Sequence, residues 1–200
     1  MKVGKKTTVP KITGLFFGSF NPVHNGHMII ANFMKQYTGM SEVWFVVSPQ
    51  NPLKNKATLL DERQRLHMVN LAIGDCSWLR ATDIEFRLPK PSYTIHTLEY
   101  LKEQYPTKNF ALIMGSDSLE TIHKWKNYQI LLDKHQIFIY PRPGMDPEKF
   151  PQSDNLHITS APQVEISSSE IRKAIKEKKD VRFFLPETVY RYIDEMNFYR

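Results

Sequence analysis

Apolar residues along this chain gather in short runs separated by longer stretches of mixed polarity. Ile12, Leu15, Phe16 and Phe17 make the first run, and residues 43–47, part of 78–86, 110–114 and 137–140 make the others. Runs of this length suit strands buried on both faces. Between them the period changes. Met28, Ile29, Ile30, Ala31, Phe33 and Met34 fit a helix ending near Gly39, and residues 59–73 and 93–104 read as two more. Leu60, Arg63, Leu66, His67, Val69 and Leu71 leave a largely apolar face on the first of these, and Thr94, Ile95, Leu98 and Leu101 do so on the second. Such alternation predicts an α/β fold: a Rossmann-like, mostly parallel sheet with helices on both faces and ligands at the carboxyl ends of its strands.

Pro141-Arg142-Pro143-Gly144 stops the last of these strands, and the Pro-rich stretch to Ser153 reads as an irregular surface loop. Residues 167–200 read as two helices around the charged turn 176–180, with Pro186 in the first position of the second helix. Val189, Tyr192, Ile193 and Met196 form an apolar stripe expected to pack against the sheet, and formation of a homo-oligomer through it stays open. No repeat or composition break divides the chain. Residues 1–200 are therefore expected to form a single domain, with 167–200 a helical segment packed on it.

Composition narrows the class. Two hundred residues, 41% hydrophobic and 24% charged, suit a soluble globular domain with a substantial core. Cys76 is the only cysteine, which precludes an intrachain disulfide and fits a reducing compartment. The basic start MKVGKKTTVPK leads into no continuous apolar segment, and no run approaches a membrane span, so a cytoplasmic protein that does not enter the membrane is expected. The formal charge of +6 is spread along the chain, which suits small anionic substrates better than nucleic acid.

The segment Gly18-Ser-Phe-Asn-Pro-Val-His-Asn-Gly-His27 carries the strongest chemical signal, because it places two histidines where a strand meets a helix. The amides and the positive dipole end of a helix N-terminus attract anions, and Gly18 and Gly26 let backbone come close to a ligand. His24 and His27, three apart on a first turn, share a face. Alone, the pair also suits a metal site or an ordinary turn, although no cysteine pair or HExxH supports zinc. A second helix start lies at Val164-Glu-Ile-Ser-Ser-Ser-Glu-Ile-Arg172, where Ser167 and Glu170 have capping-box spacing. Seen alone, its serines cap a helix and Arg172 faces water. Ser92 or Thr94 offers a cap for the helix after Pro91, while Lys54 follows the second strand on a loop suited to meeting phosphate.

Together these segments resemble the nucleotidyltransferases with an HxGH motif, and in particular the bacterial nicotinate mononucleotide adenylyltransferases. GSFNPVHNGH is similar to their GGTFDPxHxGH, with Phe17 at the first glycine, Ser19 for threonine and Asn21 for aspartate. VEISSSEIR is similar to their ISSTxIR. The resemblance implies ATP contacts from Gly18, Ser19, Phe20, Asn21, His24, His27, Ser167, Ser168, Ser169 and Arg172, with catalysis by His24, His27, Lys54 and Arg172. It implies magnesium with the ATP and no metal ligand from the protein.

For the second substrate, nicotinate mononucleotide, the resemblance implies Asn51 near the ring, Thr94 in the SYT segment at the pyridine carboxylate, and Asp117 on ribose or amide. It also implies Trp125 stacking and Arg142 by the mononucleotide, while Arg63 has a weaker claim than Lys54 to a place in the site, since its helix needs polar residues on its solvent face. The expected products are deamido-NAD and pyrophosphate. Other readings stay open at this point: the nicotinamide mononucleotide enzyme, a phosphopantetheine adenylyltransferase, a tRNA-charging enzyme, or a nucleotide-binding module without turnover.

Overall fold

The computed structural model describes residues 11–49 and 59–200. Six strands, β1 (Ile12–Gly18), β2 (Met40–Val47), β3 (Leu79–Thr82), β4 (Asn109–Gly115), β5 (Ile137–Tyr140) and β6 (Leu156–Ile158), form one sheet in the order β3-β2-β1-β4-β5-β6. Every neighbouring pair is parallel. The α-helices among the described residues are α1 (Asn25–Tyr37), α2 (Glu62–Ile73), α3 (Thr94–Gln104), α4 (Ser116–Glu120), α5 (Tyr128–Lys134), α6 (Ser168–Lys176) and α7 (Glu187–Glu195).

Strand residues alternate between two cores, as the two-residue repeat of a strand requires. Phe16, Val43, Phe45, Val47, Ala111, Ile113 and Phe138 feed one core, closed by Ile30 and Met34 of α1, Met68 and Val69 of α2, Ile171 of α6 and Val189 and Ile193 of α7. Leu15, Trp44, Val46, Leu112, Met114, Ile137 and Ile139 feed the other, closed by Ile95, Leu98 and Leu101 of α3, Leu119 of α4 and Leu131 and Leu132 of α5. Burial on both faces is why these strands read as unbroken apolar runs. The order reverses beside β1, which pairs with β2 on one side and β4 on the other. A crevice opens there, at the carboxyl ends marked by Gly18 and Gly115. Helix α1 stops as expected: Gly39 takes φ +74, a left-handed conformation that glycine adopts without a Cβ penalty.

β6 begins just beyond the stretch read as a loop, and its three residues are too few to show a period. Three expectations change. α2 buries Arg65, Met68 and Val69, so its inward face is displaced from the expected one, and both Arg63 and His67 are exposed. α7 packs largely on α2, with Thr188 donating to the Leu71 carbonyl at 2.8 Å and Tyr192 edge-on to His67. Pro186 is the N-cap of α7 and Glu187 its first residue.

Arg65 is fully buried and donates to four carbonyls: Leu60 at 2.9 Å, Ser19 at 2.6 Å, Ser48 at 2.8 Å and Pro49 at 3.0 Å. Its planar fork of donors ties the carboxyl ends of β1 and β2 to the entry of α2, a geometry one ammonium cannot reproduce. Arg65→Met keeps the bulk and strands buried carbonyls. It should lower the unfolding free energy by roughly 3 kcal/mol in urea titration, and a loss below about 1 kcal/mol would show that the tie is not structural.

Candidate active site

The turn from β1 to α1 is shaped by its own aromatic side chain. Phe20 has φ 46 and is held there by ring contacts with Phe16, His27 and Phe45 at 5.8, 5.0 and 5.3 Å. This places His24 at the N-cap of α1 and His27 at its third residue. Their rings stack at 3.7 Å, and the His24 N–H donates to His27 Nδ1 at 3.2 Å, which assigns the proton of a neutral His27 to Nε2. The two glycines make room for neighbouring side chains. A Cβ on Gly26 would lie 3.0 Å from His24 Nδ1, and one on Gly18 would lie 2.8 Å from the Phe20 ring. Their smallness serves the position of Phe20 and His24 at least as directly as any ligand.

The C-terminal motif docks on this turn from across the chain. Ser168 Oγ donates to the Pro22 carbonyl at 2.9 Å, and Arg172 Nη1 donates to the Asn21 carbonyl at 2.7 Å. The capping box of α6 forms as its spacing requires, the Ser167 hydroxyl accepting from the Glu170 N–H at 3.2 Å and donating to the Glu170 carboxylate at 2.7 Å. Arg172 also donates to Ser169 Oγ at 3.3 Å. Asn21 Oδ1 is engaged from two further elements, by Tyr199 OH at 2.8 Å and the Leu60 N–H at 3.3 Å. The amino ends of α1 and α6 therefore meet at one crevice.

His24, His27 and Gly26 line this crevice with Phe16, Arg142 and Val164. Arg142 follows β5; its backbone N–H donates to Ser116 Oγ at 3.0 Å, and its guanidinium lies 5.5 Å from the Tyr140 ring centre. Two buried nitrogens here, His24 Nδ1 and Arg142 Nε, have no hydrogen-bond partner among the described residues. Burial, and secondarily the charge of Arg142, pulls the His24 pKa down to about 4, against an upward pull from Glu170. His24 is thus neutral at pH 7. An anion bound beside it would favour its protonated form and supply the missing partners.

The other expected residues surround the same strand ends. Asp117 stands in the first turn of α4, its Oδ1 folded over Gly115, where a Cβ would come within 2.4 Å. Trp125 is half-buried and packs on the second core, as Tyr93 and Tyr128 also do. Lys126 Nζ sits 4.7 Å from the Tyr93 ring centre, joining this loop to the start of α3. Thr94 is the first residue of α3, but neither it nor Ser92 caps the helix; Tyr93 is the N-cap, without a side-chain bond, and the Ser92 hydroxyl turns to buried Glu85. Asn51 and Lys54 lie outside the described residues. Sequence reasoning missed Arg65, Tyr140 and Tyr199. Tyr140 ends an apolar run and reads as core, and nothing in the local pattern of the other two signals backbone or distant partners.

Because folded His24 refuses a proton that an unfolded histidine accepts, its contribution to stability is complete above pH 6.5 and is lost as the pH falls towards 4. Comparing thermal unfolding of wild type and His24→Asn at pH 7 and pH 5 isolates this group. The wild type should lose more of its midpoint on acidification, and equal losses would contradict the buried, neutral assignment.

Residues 15–174 match the cytidylyltransferase-like family. The chain is similar to a probable nicotinate-nucleotide adenylyltransferase of Flavobacterium johnsoniae, 51% identical across 94% of this chain and 98% of that protein. A namesake from Bacteroides fragilis is 45% identical across 90% of each. Among solved structures, the Plasmodium falciparum nicotinic acid mononucleotide adenylyltransferase complexed with NaAD has the same fold, with TM-score 0.77 and 21% identity over 94% of this chain and 97% of that one. Matched over most of its length and about half identical to these relatives, the chain belongs to the cytidylyltransferase-like family, among the nicotinate-nucleotide adenylyltransferases.

Proposed function

We propose that this protein transfers the adenylyl group of ATP to nicotinate mononucleotide, giving deamido-NAD and pyrophosphate in NAD biosynthesis. The observation that carries the reading is the meeting of His24, His27 and Arg142 with the start of α6 across one crevice, where two buried nitrogens lack partners among the described residues. The names of relatives about half identical over nearly the whole chain support the same reaction.

In this reading a phosphate oxygen of the mononucleotide attacks the α-phosphorus of ATP. The new P–O bond forms as the bond to the bridging oxygen breaks, and that oxygen leaves with its electron pair on pyrophosphate. The nucleophile is already an anion, so alignment and charge stabilisation do the catalytic work. His24 and His27 face the reacting phosphates, with Ser167, Ser168, Ser169 and Arg172 holding the triphosphate from α6. Gly18, Ser19, Phe20 and Asn21 contribute the shaped turn, and Lys54 is assigned to the phosphates. On the acceptor side, Thr94 offers an amide at a helix start to the pyridine carboxylate, Trp125 stacks on the ring, and Asn51, Asp117 and Arg142 complete the contacts.

The imidazole, guanidinium and hydroxyl donors suit phosphate oxygens, and among the described residues no three His, Cys, Asp or Glu converge on a metal. In this scheme magnesium enters as the counter-ion of the ATP substrate, keeping mostly water ligands. No helix among the described residues is long and apolar enough to cross a membrane. A cytoplasmic location goes with the reading because both substrates are nucleotides available there.

Supplying nicotinate mononucleotide, nicotinamide mononucleotide and phosphopantetheine in parallel with magnesium and ATP tests the assignment. The first should be used best, with one pyrophosphate released per dinucleotide, and preference for another would reassign the acceptor. His24→Ala and His27→Ala should each lower kcat by roughly a hundredfold or more while leaving the fold intact. Near-normal turnover in both would remove the histidines from the mechanism.

A further inference from the structure

Glu85 is a buried carboxyl that the reaction scheme does not use. It stands in a single 3-10 turn, Ile84–Arg87, directly after β3, and is only 2% exposed. Three hydroxyls converge on it. Ser92 Oγ donates to its Oε2 at 3.0 Å, Thr97 Oγ1 donates to its Oε1 at 2.8 Å, and the nearby Ser48 hydroxyl also favours its charged form. Burial pushes its pKa up, and the three hydroxyls oppose that shift by favouring the carboxylate.

The positions of those hydroxyls give the arrangement a purpose. Ser92 lies two residues before α3 and Thr97 lies on its first turn, so one carboxyl grips the helix start from both sides. The amide of Thr94 falls between the two points of attachment. Ser48 follows β2, and its own N–H donates to the Gly18 carbonyl at 2.9 Å while its carbonyl accepts from Arg65. Glu85 therefore stands between Ser48, which is bonded to the end of β1, and the opening of α3, which it holds directly. A surface carboxylate with one flexible partner would have no such reach.

We propose that Glu85 is a positioning residue that fixes the amides at the start of α3 relative to the histidine turn, and thereby sets selectivity for a carboxylate-bearing over a carboxamide-bearing pyridine nucleotide. This rests on the reading in which Thr94 meets the acceptor carboxylate. Glu85 touches neither substrate. It acts through the placement of Ser92 and Thr97, so its loss should disturb acceptor binding while leaving the ATP side, held by α1 and α6, as it was.

Steady-state kinetics of the full chain with Glu85→Ala, Glu85→Gln and Thr97→Val decide the matter. Glu85→Ala and Thr97→Val should raise KM for nicotinate mononucleotide roughly tenfold, leave KM for ATP within about twofold, and shrink the preference over nicotinamide mononucleotide. Glu85→Gln, with the same length and an amide that can accept from one hydroxyl and donate to another, should stay within about threefold of wild type. If Glu85→Ala does not fold, Thr97→Val carries the decision. An unmoved acceptor KM in Thr97→Val, or equal increases for ATP and acceptor, overturns the assignment. A wild-type protein that forms no dinucleotide from either pyridine nucleotide overturns the functional reading first, and this inference with it.

Discussion

The turn that joins β1 to α1 offers its backbone carbonyls to the rest of the molecule, and satisfying them organises the site. Ser19 is held by Arg65 from α2, while Asn21 and Pro22 are held by Arg172 and Ser168 from α6. A buried carbonyl left without a donor costs on the order of 1–3 kcal/mol, so these contacts select one arrangement of the turn. Each is made by a residue remote in sequence. Closing them brings the C-terminal helix onto the crevice at the carboxyl ends of the strands, and the positions of His24 and His27 follow from the turn that results.

The same turn sets charge. With α6 docked, His24 is buried beside Arg142, and its proton is expelled at neutral pH. The crevice is thus prepared as a group of donors whose remaining positive charge develops when an anion arrives. In the proposed reaction, such preorganisation would lower the reorganisation needed as charge moves from the attacking phosphate to the leaving pyrophosphate. It also separates labour within the fold: α1 and α6 face the reacting phosphates, whereas α3 and the loop bearing Trp125 face the acceptor in the proposed reaction.

Much of the scaffold was legible because its strands are buried on both faces and its first helix ends at a left-handed glycine. The α6 capping box was legible for a different reason, since a serine and a glutamate three residues apart contain their own partners. β6 and α5 were not legible, being too short for a period to stand out. Arg65 was hidden because arginine on a helix reads as solvent-facing; Arg63 drew the attention and lies exposed. Glu85 and Tyr199 were hidden because their partners are set by tertiary closure. The histidine turn and the serine-arginine segment were each ambiguous alone, and their meaning came from the resemblance and then from their contact in space.

The most direct test of this account is a crystal structure with magnesium and a non-hydrolysable ATP analogue. The account predicts the triphosphate between the His24–His27 pair and the start of α6, with Arg172 and the serines at its oxygens. A triphosphate seated elsewhere, for example in the groove lined by Lys176, Lys178, Lys179 and Arg200 between α6 and α7, would contradict it.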